Sequence, residues 1–274
     1  MQLAELTDAG FPKNLTPQQR ETLNEFERLL TEWKSEHAEE AAMELAGITA
    51  LETRYTEVIY CKFLRARQFK LDDAFRLYTD FLTWKKDFQG IGVPNITVAS
   101  VINEIRTGKC ITFGKCKLGR PIIWIRFHLH KKSQTDPMEA ERFIAWFFDN
   151  ARHIPRERPI ETTTVVVDLS NIGRDNMDMT VAKQWSNMLG TKYPECLGQG
   201  LLLNAPWIFS ASWSLLTPVL DPRTTKKLKF INQDKLTEYI PQESILKEYG
   251  GRGEYKLEED PIYKRTMTPC EGES

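Results

Sequence analysis

The chain is 274 residues long, 41% hydrophobic and 27% charged, with a formal net charge of −1 at pH 7. That length suffices for one large domain or two small ones with a real core. So near-neutral a balance gives the whole molecule no field for nucleic acid or an anionic surface, and leaves any such attraction to a local patch. The five cysteines (Cys61, Cys110, Cys116, Cys196, Cys270) form no C-x-x-C pair and no compact framework, which suits reduced thiols in a cytoplasmic protein. The opening MQLAELTDAGFPKN has neither the basic start nor the apolar core of a secretory signal. No window reaches the ~20 apolar residues of a bilayer span, so any meeting with intracellular membranes is peripheral.

Residues 1–16 read as a loosely held lead-in. Thr16 then N-caps a helix with Pro17 in its first position and Leu23, Phe26, Leu29 and Leu30 on one face. The acidic run to Leu45 continues it or forms a second piece, with Gly47 as a stop. From Leu51 the helical period resumes, breaks near Phe69–Lys70, and returns with Leu71, Ala74, Phe75, Tyr78, Phe81 and Leu82 before Gly90 and Gly92. Lys62, Arg65 and Arg67 form a basic face, read by default as solvated surface.

After Pro94 the pattern changes. Ile111–Phe113 and residues 121–127 read as strands joined by Gly114 and Gly119, and a helix follows from Asp136 to Arg152. TTTVVVDL (162–169) is the β-branched run of a strand buried on both faces. A helix over 177–192, a strand over 200–204 and a strand over 227–231 complete an alternation that implies right-handed crossovers and a mostly parallel or mixed five-stranded sheet flanked by helices. IPQESILKEYGG (240–251) predicts a short last helix, and the polar residues beyond it an extended or disordered tail. The expected layout is an N-terminal helical extension (1–50), a helical region (51–95), an α/β domain (96–252) and the tail (253–274).

Between the last two strands, Pro206 offers a helix start. Trp207, Ile208, Phe209, Trp213, Leu215, Leu216, Val219 and Leu220 then fall on every side of the helix. Such a helix is buried or faces lipid. Arg223, Thr224, Thr225, Lys226, Lys227 and Lys229 follow as the densest basic run. Catalytic motifs are missing: there is no G-x-G-x-x-G, Walker loop, G-x-S-x-G elbow or H-E-x-x-H. His128 and His130 lack a third metal ligand, and His153 suits a helix end. Asp168 ends a buried strand, where it can cap the next turn through Ser170 and Asn171. The expectation is a non-enzyme, with no catalytic residues, metal or cofactor.

FLRARQF (63–69), GRPI (119–122), Val167-Asp168-Leu169, YPECLG (193–198), NAPWIF (204–209), LDPRTTKKLKF (220–230) and YGG (249–251) stand in order and with the spacing of a known family. They resemble the CRAL-TRIO lipid-binding family, and its phosphatidylinositol-transfer branch in particular. The resemblance implies one lipid in a hydrophobic pocket closed by a helical gate, here Trp207, Phe209, Trp213, Leu216, Val219 and Leu220. It assigns the headgroup phosphate to Arg67, Thr224 and Lys227, with Glu195 pairing that lysine when the phosphate is absent. Two positions depart from the branch. Gln68 stands where inositide-binding members carry a second lysine. Thr163 and Val165 stand where phosphatidylcholine exchangers carry two hydroxyls, so a sterol or other isoprenoid joins phosphatidylinositol among the expected ligands. The implied function is a monomeric lipid carrier that exchanges its ligand at membranes. Its rivals are a lipid-responsive regulator of a lipid-metabolism enzyme, a haem binder and a lipid-ester enzyme.

Overall fold

A computed structural model describes residues 3–46, 56–154, 156–157, 159–206, 213 and 222–267. The chain divides into two compact units. The first is Met1–Ile96 with Arg158–Glu161 and Asn187–Cys196; the second is Thr97–Glu157, Thr162–Ser186 and Leu197–Ser274.

The first unit is helical, with a short α1 (Ala4–Thr7), α2 (Pro17–Glu36), α3 (Ala38–Leu45), α4 (Thr56–Ala66) and α5 (Leu71–Asp87). The Thr16 hydroxyl accepts from Gln19 N at 3.2 Å while Gln19 Oε1 accepts from Thr16 N at 3.0 Å, a reciprocal cap that fixes where α2 starts. Leu23, Phe26 and Leu30 are buried, and the Phe26 ring meets Tyr60 and Tyr78 edge-on at 5.4 and 5.9 Å. The acidic run forms its own helix after a break at His37. From it Glu44 accepts from the hydroxyls of Tyr60 (2.7 Å) and Tyr78 (2.5 Å) and pairs with Lys34 at 2.5 Å. Three donors from three helices on one carboxylate tie α2, α4 and α5 to α3.

Two expectations for this unit need correction. The basic face of α4 is not solvated: Arg65 is buried, pairs with buried Glu161 at 2.7 Å and donates to Gly10 O at 3.0 Å, and Lys62 donates to Glu161 O at 2.7 Å. Partners nearly a hundred residues away in sequence cancel the cost of burying these cations, which helical periodicity cannot reveal. The lead-in is likewise held, because the Arg65 guanidinium lies 3.9 Å from the centre of the buried Phe11 ring.

The second unit carries α6 (Ile102–Arg106), β1 (Cys110–Lys115), β2 (Pro121–Arg126), α7 (Pro137–Ala151), β3 (Thr163–Asp168), α8 (Met179–Thr191, whose last turn belongs to the first unit), β4 (Leu197–Leu203) and β5 (Leu228–Ile231). The sheet runs in the order β1-β2-β3-β4-β5, antiparallel at β1–β2 and parallel thereafter. On one face Ile122, Trp124, Val166, Leu201 and Leu203 are buried under Leu236, Ile240, Ile245 and Tyr249, with Tyr249 stacked on Trp124 at 5.1 Å.

Residues 240–251 form no α-helix. They contain 3-10 turns at Gln242–Ser244 and Lys247–Tyr249, closed by Gly250 in the left-handed region at φ 79°. Pro241 holds Ile240 extended, and a Cβ on Gly251 would sit 1.9 Å from Ile245 O. The tail is also ordered as far as it is described. Asp260 accepts from Thr112 N at 2.7 Å and Ile262 N at 2.9 Å, and the Tyr263 hydroxyl donates to Cys110 O at 2.9 Å. Ile262 and Tyr263, on a helix of residues Pro261–Met267, are fully buried. Two apolar side chains in a polar stretch supply the packing that average composition hides.

The Arg65–Glu161 pair generates a stability test. Arg65→Met alone leaves a buried carboxylate unpaired and is expected to cost roughly 3–5 kcal/mol, read as a lower urea midpoint. Adding Glu161→Leu should restore much of the loss, and an unchanged midpoint in the single variant would contradict the pair's role.

Candidate functional site

Registered neighbours in a parallel ladder point to the same side of the sheet. Val165 aligns with Ile123, Gly200 and Leu228, and Val167 with Ile125, Leu202 and Phe230. These two rows form the face opposite the sealed one. They carry no polar side chain, yet Ile125, Val165, Val167 and Leu228 are only half-buried and Phe230 is 51% exposed. A Cβ on Gly200 would fall 2.3 Å from Leu228 Cδ2, so glycine lets Leu228 lie flat over β4.

Phe127, Met177, Ala205, Trp213 and Leu228 pack against Leu169, Ile172 and Leu202 at the carboxyl ends of these strands. Trp213 meets Phe230 edge-on at 5.2 Å. Both aromatic rings also line an open cleft of about 750 Å³, with Ala205, Pro206, Ile231 and Tyr239 on its other walls. At its rim Lys235 pairs with Glu238 at 3.3 Å, and Lys229 Nζ stands 5.1 Å from the Tyr239 ring centre. The cleft therefore sets apolar side chains, Phe230 of the sheet rows among them, beside Asn232, Lys235 and Glu238, at the carboxyl ends of strands where open α/β sheets bind ligands.

The residues expected from sequence are distributed as follows. Of the gate residues, Trp213 is described and lines the cleft; Trp207, Phe209, Leu216, Val219 and Leu220 lie outside the described residues. Thr163 and Val165 share the floor side of β3, Thr163 buried and Val165 half-buried. Thr224 sits in a helical turn, Pro222–Lys226, and its carbonyl accepts from Lys227 N at 3.0 Å. The Lys227 carbonyl in turn accepts from Gly200 N at 2.9 Å, which fixes the basic turn to β4. Arg67 and Glu195 belong to the first unit. Arg67 is half-buried just before Gln68 and Phe69, both left-handed at φ 54° and 59°, and Glu195 is left-handed at φ 55°.

Asp168 caps its turn, accepting from Ser170 N at 2.9 Å, and also accepts from the Tyr249 hydroxyl at 2.9 Å. Its carboxylate faces His128 Nδ1 at 3.4 Å. His130 instead faces Asp178, so the two histidines do not converge. Among the described residues no cluster of three or more His, Cys, Asp or Glu could hold a metal. Burial pushes the Cys61 and Cys110 thiols up to about 12, away from the reactive range. No described helix is long and apolar enough to cross a membrane.

Sequence reasoning named apolar candidate-site residues chiefly in 207–220 and did not anticipate the two apolar rows on the sheet. The alternation inside VVV, with Val165 and Val167 on one side and Val166 on the other, was the available signal. Strand order was needed to set Leu202, Leu228 and Phe230 beside them.

A family model described as the CRAL/TRIO domain matches residues 105–251. A CRAL-TRIO domain-containing protein of Schizosaccharomyces pombe is 32% identical over 236 residues, covering 84% of this chain and 52% of its own. A phosphatidylinositol transfer protein, CSR1, of Eremothecium gossypii is 30% identical over 253 residues, covering 89% and 57%. The chain thus spans about half the length of these two relatives. The SEC14 cytosolic factor of Kluyveromyces lactis is 26% identical over 282 residues, covering 95% of this chain and 87% of its own. The crystal structure of Sfh5 superimposes with a TM-score of 0.68 over 91% of both chains at 17% identity, a likeness of fold. With more than half of its length matched by that model, this chain belongs to the CRAL/TRIO domain family and resembles its phosphatidylinositol-transfer branch.

Proposed function

We propose that this protein holds one lipid with its hydrocarbon against the β3–β4–β5 face, and exchanges that lipid at membranes. The observation that carries the reading is the asymmetry of the sheet: one face is sealed, while the other keeps an all-apolar floor partly open beside a cleft of about 750 Å³. Each methylene moved out of water gains ~0.8 kcal/mol, so two acyl chains left in solvent would cost on the order of 20 kcal/mol. A carrier lowers that cost by offering apolar walls before the lipid has left the bilayer. Relatives named as a phosphatidylinositol transfer protein and a SEC14 cytosolic factor support the same reading.

By resemblance, Arg67, Thr224 and Lys227 are the proposed phosphate contacts, with Glu195 as the partner of Lys227 in the empty protein. A guanidinium, an ammonium and a hydroxyl together can complete the shell of a desolvated phosphate. Trp207, Phe209, Trp213, Leu216, Val219 and Leu220 are the proposed gate. Gln68 takes one positive charge from the inositide site and Val165 one hydroxyl from the choline-lipid position, which brings a sterol or another isoprenoid into the proposed ligand set beside phosphatidylinositol.

Mass spectrometry of lipids extracted from the purified protein is the direct test. A stoichiometric phosphatidylinositol or isoprenoid is expected, and recovery of no lipid would overturn the reading. Vesicle-to-vesicle exchange separates a carrier from a lipid-responsive regulator, which has no need of fast exchange.

Two variants sharpen the assignment. Leu216→Glu is expected to abolish transfer without lowering the urea midpoint, and unchanged transfer would remove the gate. Lys227→Ala, losing one charge-assisted contact, should weaken phosphatidylinositol loading by about ten- to a hundredfold while leaving an uncharged sterol unaffected. Equal loss of both ligands would count against a phosphate role.

A further inference from the structure

Four ionisable side chains form a buried chain at the carboxyl ends of β2 and β3, apart from the residues proposed to touch lipid. Glu104 of α6 pairs with Lys109, the residue before β1. Lys109 Nζ lies 3.1 Å from His130 Nδ1, and His130 Nε2 faces Asp178 Oδ2 at 3.4 Å. Glu104, Lys109, His130 and Asp178 are only 4%, 5%, 5% and 7% exposed. An ammonium can only donate, so this contact calls for an unprotonated Nδ1 and leaves the ring proton to Nε2, on the side of Asp178.

Asp178 joins this chain to α8. Its other oxygen, Oδ1, accepts from Thr180 N at 3.0 Å and Val181 N at 3.1 Å, the N-cap of that helix. Asn176 Nδ2 donates to His128 O at 3.0 Å and His130 O at 2.7 Å, pinning the approach to α8 onto the end of β2. Met177, between them, packs against the Leu169–Ile172–Leu202 cluster next to Trp213 and Leu228. The start of α8 is thus fastened to the histidine on one side and borders the apolar floor on the other.

We propose that Glu104, Lys109, His130 and Asp178 form a proton-responsive latch, in which protonation of His130 frees the start of α8 and speeds ligand exchange. The consequence for exchange rests on the lipid-carrier reading above; the latch itself does not. A protonated ring can no longer accept from Lys109, and it sets a second cation beside the first. The imidazolium then draws on Asp178, at the expense of the two amide donors that the carboxylate caps. The groups facing His130 are Glu104 from α6, Lys109 from the approach to β1, and Asp175 and Asp178 from the turn leading into α8. Burial, then Lys109, holds its pKa below the ordinary histidine value, with the carboxylates opposing. The ring is therefore neutral near neutral pH in the folded protein. The unfolded chain takes up its proton first as pH falls below about 6.5, so stability drops across that window and levels off below the folded value.

Amide exchange at Thr180 and Val181, expressed as protection factors, tests the latch in the full-length protein. Between about pH 7 and pH 5 the wild type is expected to lose protection at both amides, well beyond any change at amides later in α8. His130→Gln, which keeps a donor and an acceptor without a titrating group, should lose none. Asp178→Asn, which keeps a cap, should move the transition to lower pH. Parallel loss in the wild type and His130→Gln, or no loss in the wild type, overturns the proposal. If His130→Gln fails to fold, the imidazole titration of the wild type followed by NMR decides: its midpoint must coincide with that of the protection loss. Transfer of a fluorescent phosphatidylinositol between vesicles, measured at the same two pH values, should be faster at the lower one in the wild type alone. Transfer at neither pH would overturn the carrier reading while leaving the exchange result to judge the latch.

Discussion

The unequal covering of the sheet is the constraint on which the rest depends. A parallel sheet is stable when both faces are taken from water. Here the Val166 side is closed by the chain that follows β5, with Leu236, Ile240, Ile245 and Tyr249 filling the space over Trp124 and Leu201. The opposite side is covered less evenly: Ile123 and Leu202 are buried there, while Val165, Val167 and Leu228 keep part of their apolar surface open.

The polar groups follow the same division. Asp168, at the end of β3, is spent on Ser170 and Tyr249, and so locks the turn leaving the sheet. Arg65 and Glu161 neutralise one another inside the first unit, and Glu44 gathers Lys34, Tyr60 and Tyr78. Each of these buried carboxylates is met by cations or hydrogen-bond donors, as the cost of leaving one alone requires. The cations near the cleft, Lys229 beside the Tyr239 ring and Lys235 paired with Glu238, lie on the surface.

Much of the fold was legible in the sequence. The cap at Thr16, the 3.6-residue period of α5 and the β-branched run of β3 are local signals, and each predicted its element because the physics acts within a few residues. The family motifs extended that reading to the family itself, whose domain model matches residues 105–251. What escaped was long-range. Nothing near Arg65 announces Glu161, and nothing in the polar stretch after Arg252 announces that Tyr263 will donate to Cys110. The helix predicted over 240–251 failed because Pro241 and Gly251 serve tight turns against β1, a demand set by the partner strand and not by the segment's own pattern. The apolar rows on the sheet were hidden for a related reason, since separate strands supply them and only strand order brings Val167, Leu202 and Phe230 abreast.

The strap of residues 260–263 has a consequence for how this molecule behaves among its own copies. β1 ends the sheet, and an outermost strand with bare amides is a template for joining another chain. Asp260 occupies the outward amide of Thr112, and Tyr263 the outward carbonyl of Cys110, so that margin is already spoken for. Peeling the strap away would bare both groups to an incoming strand.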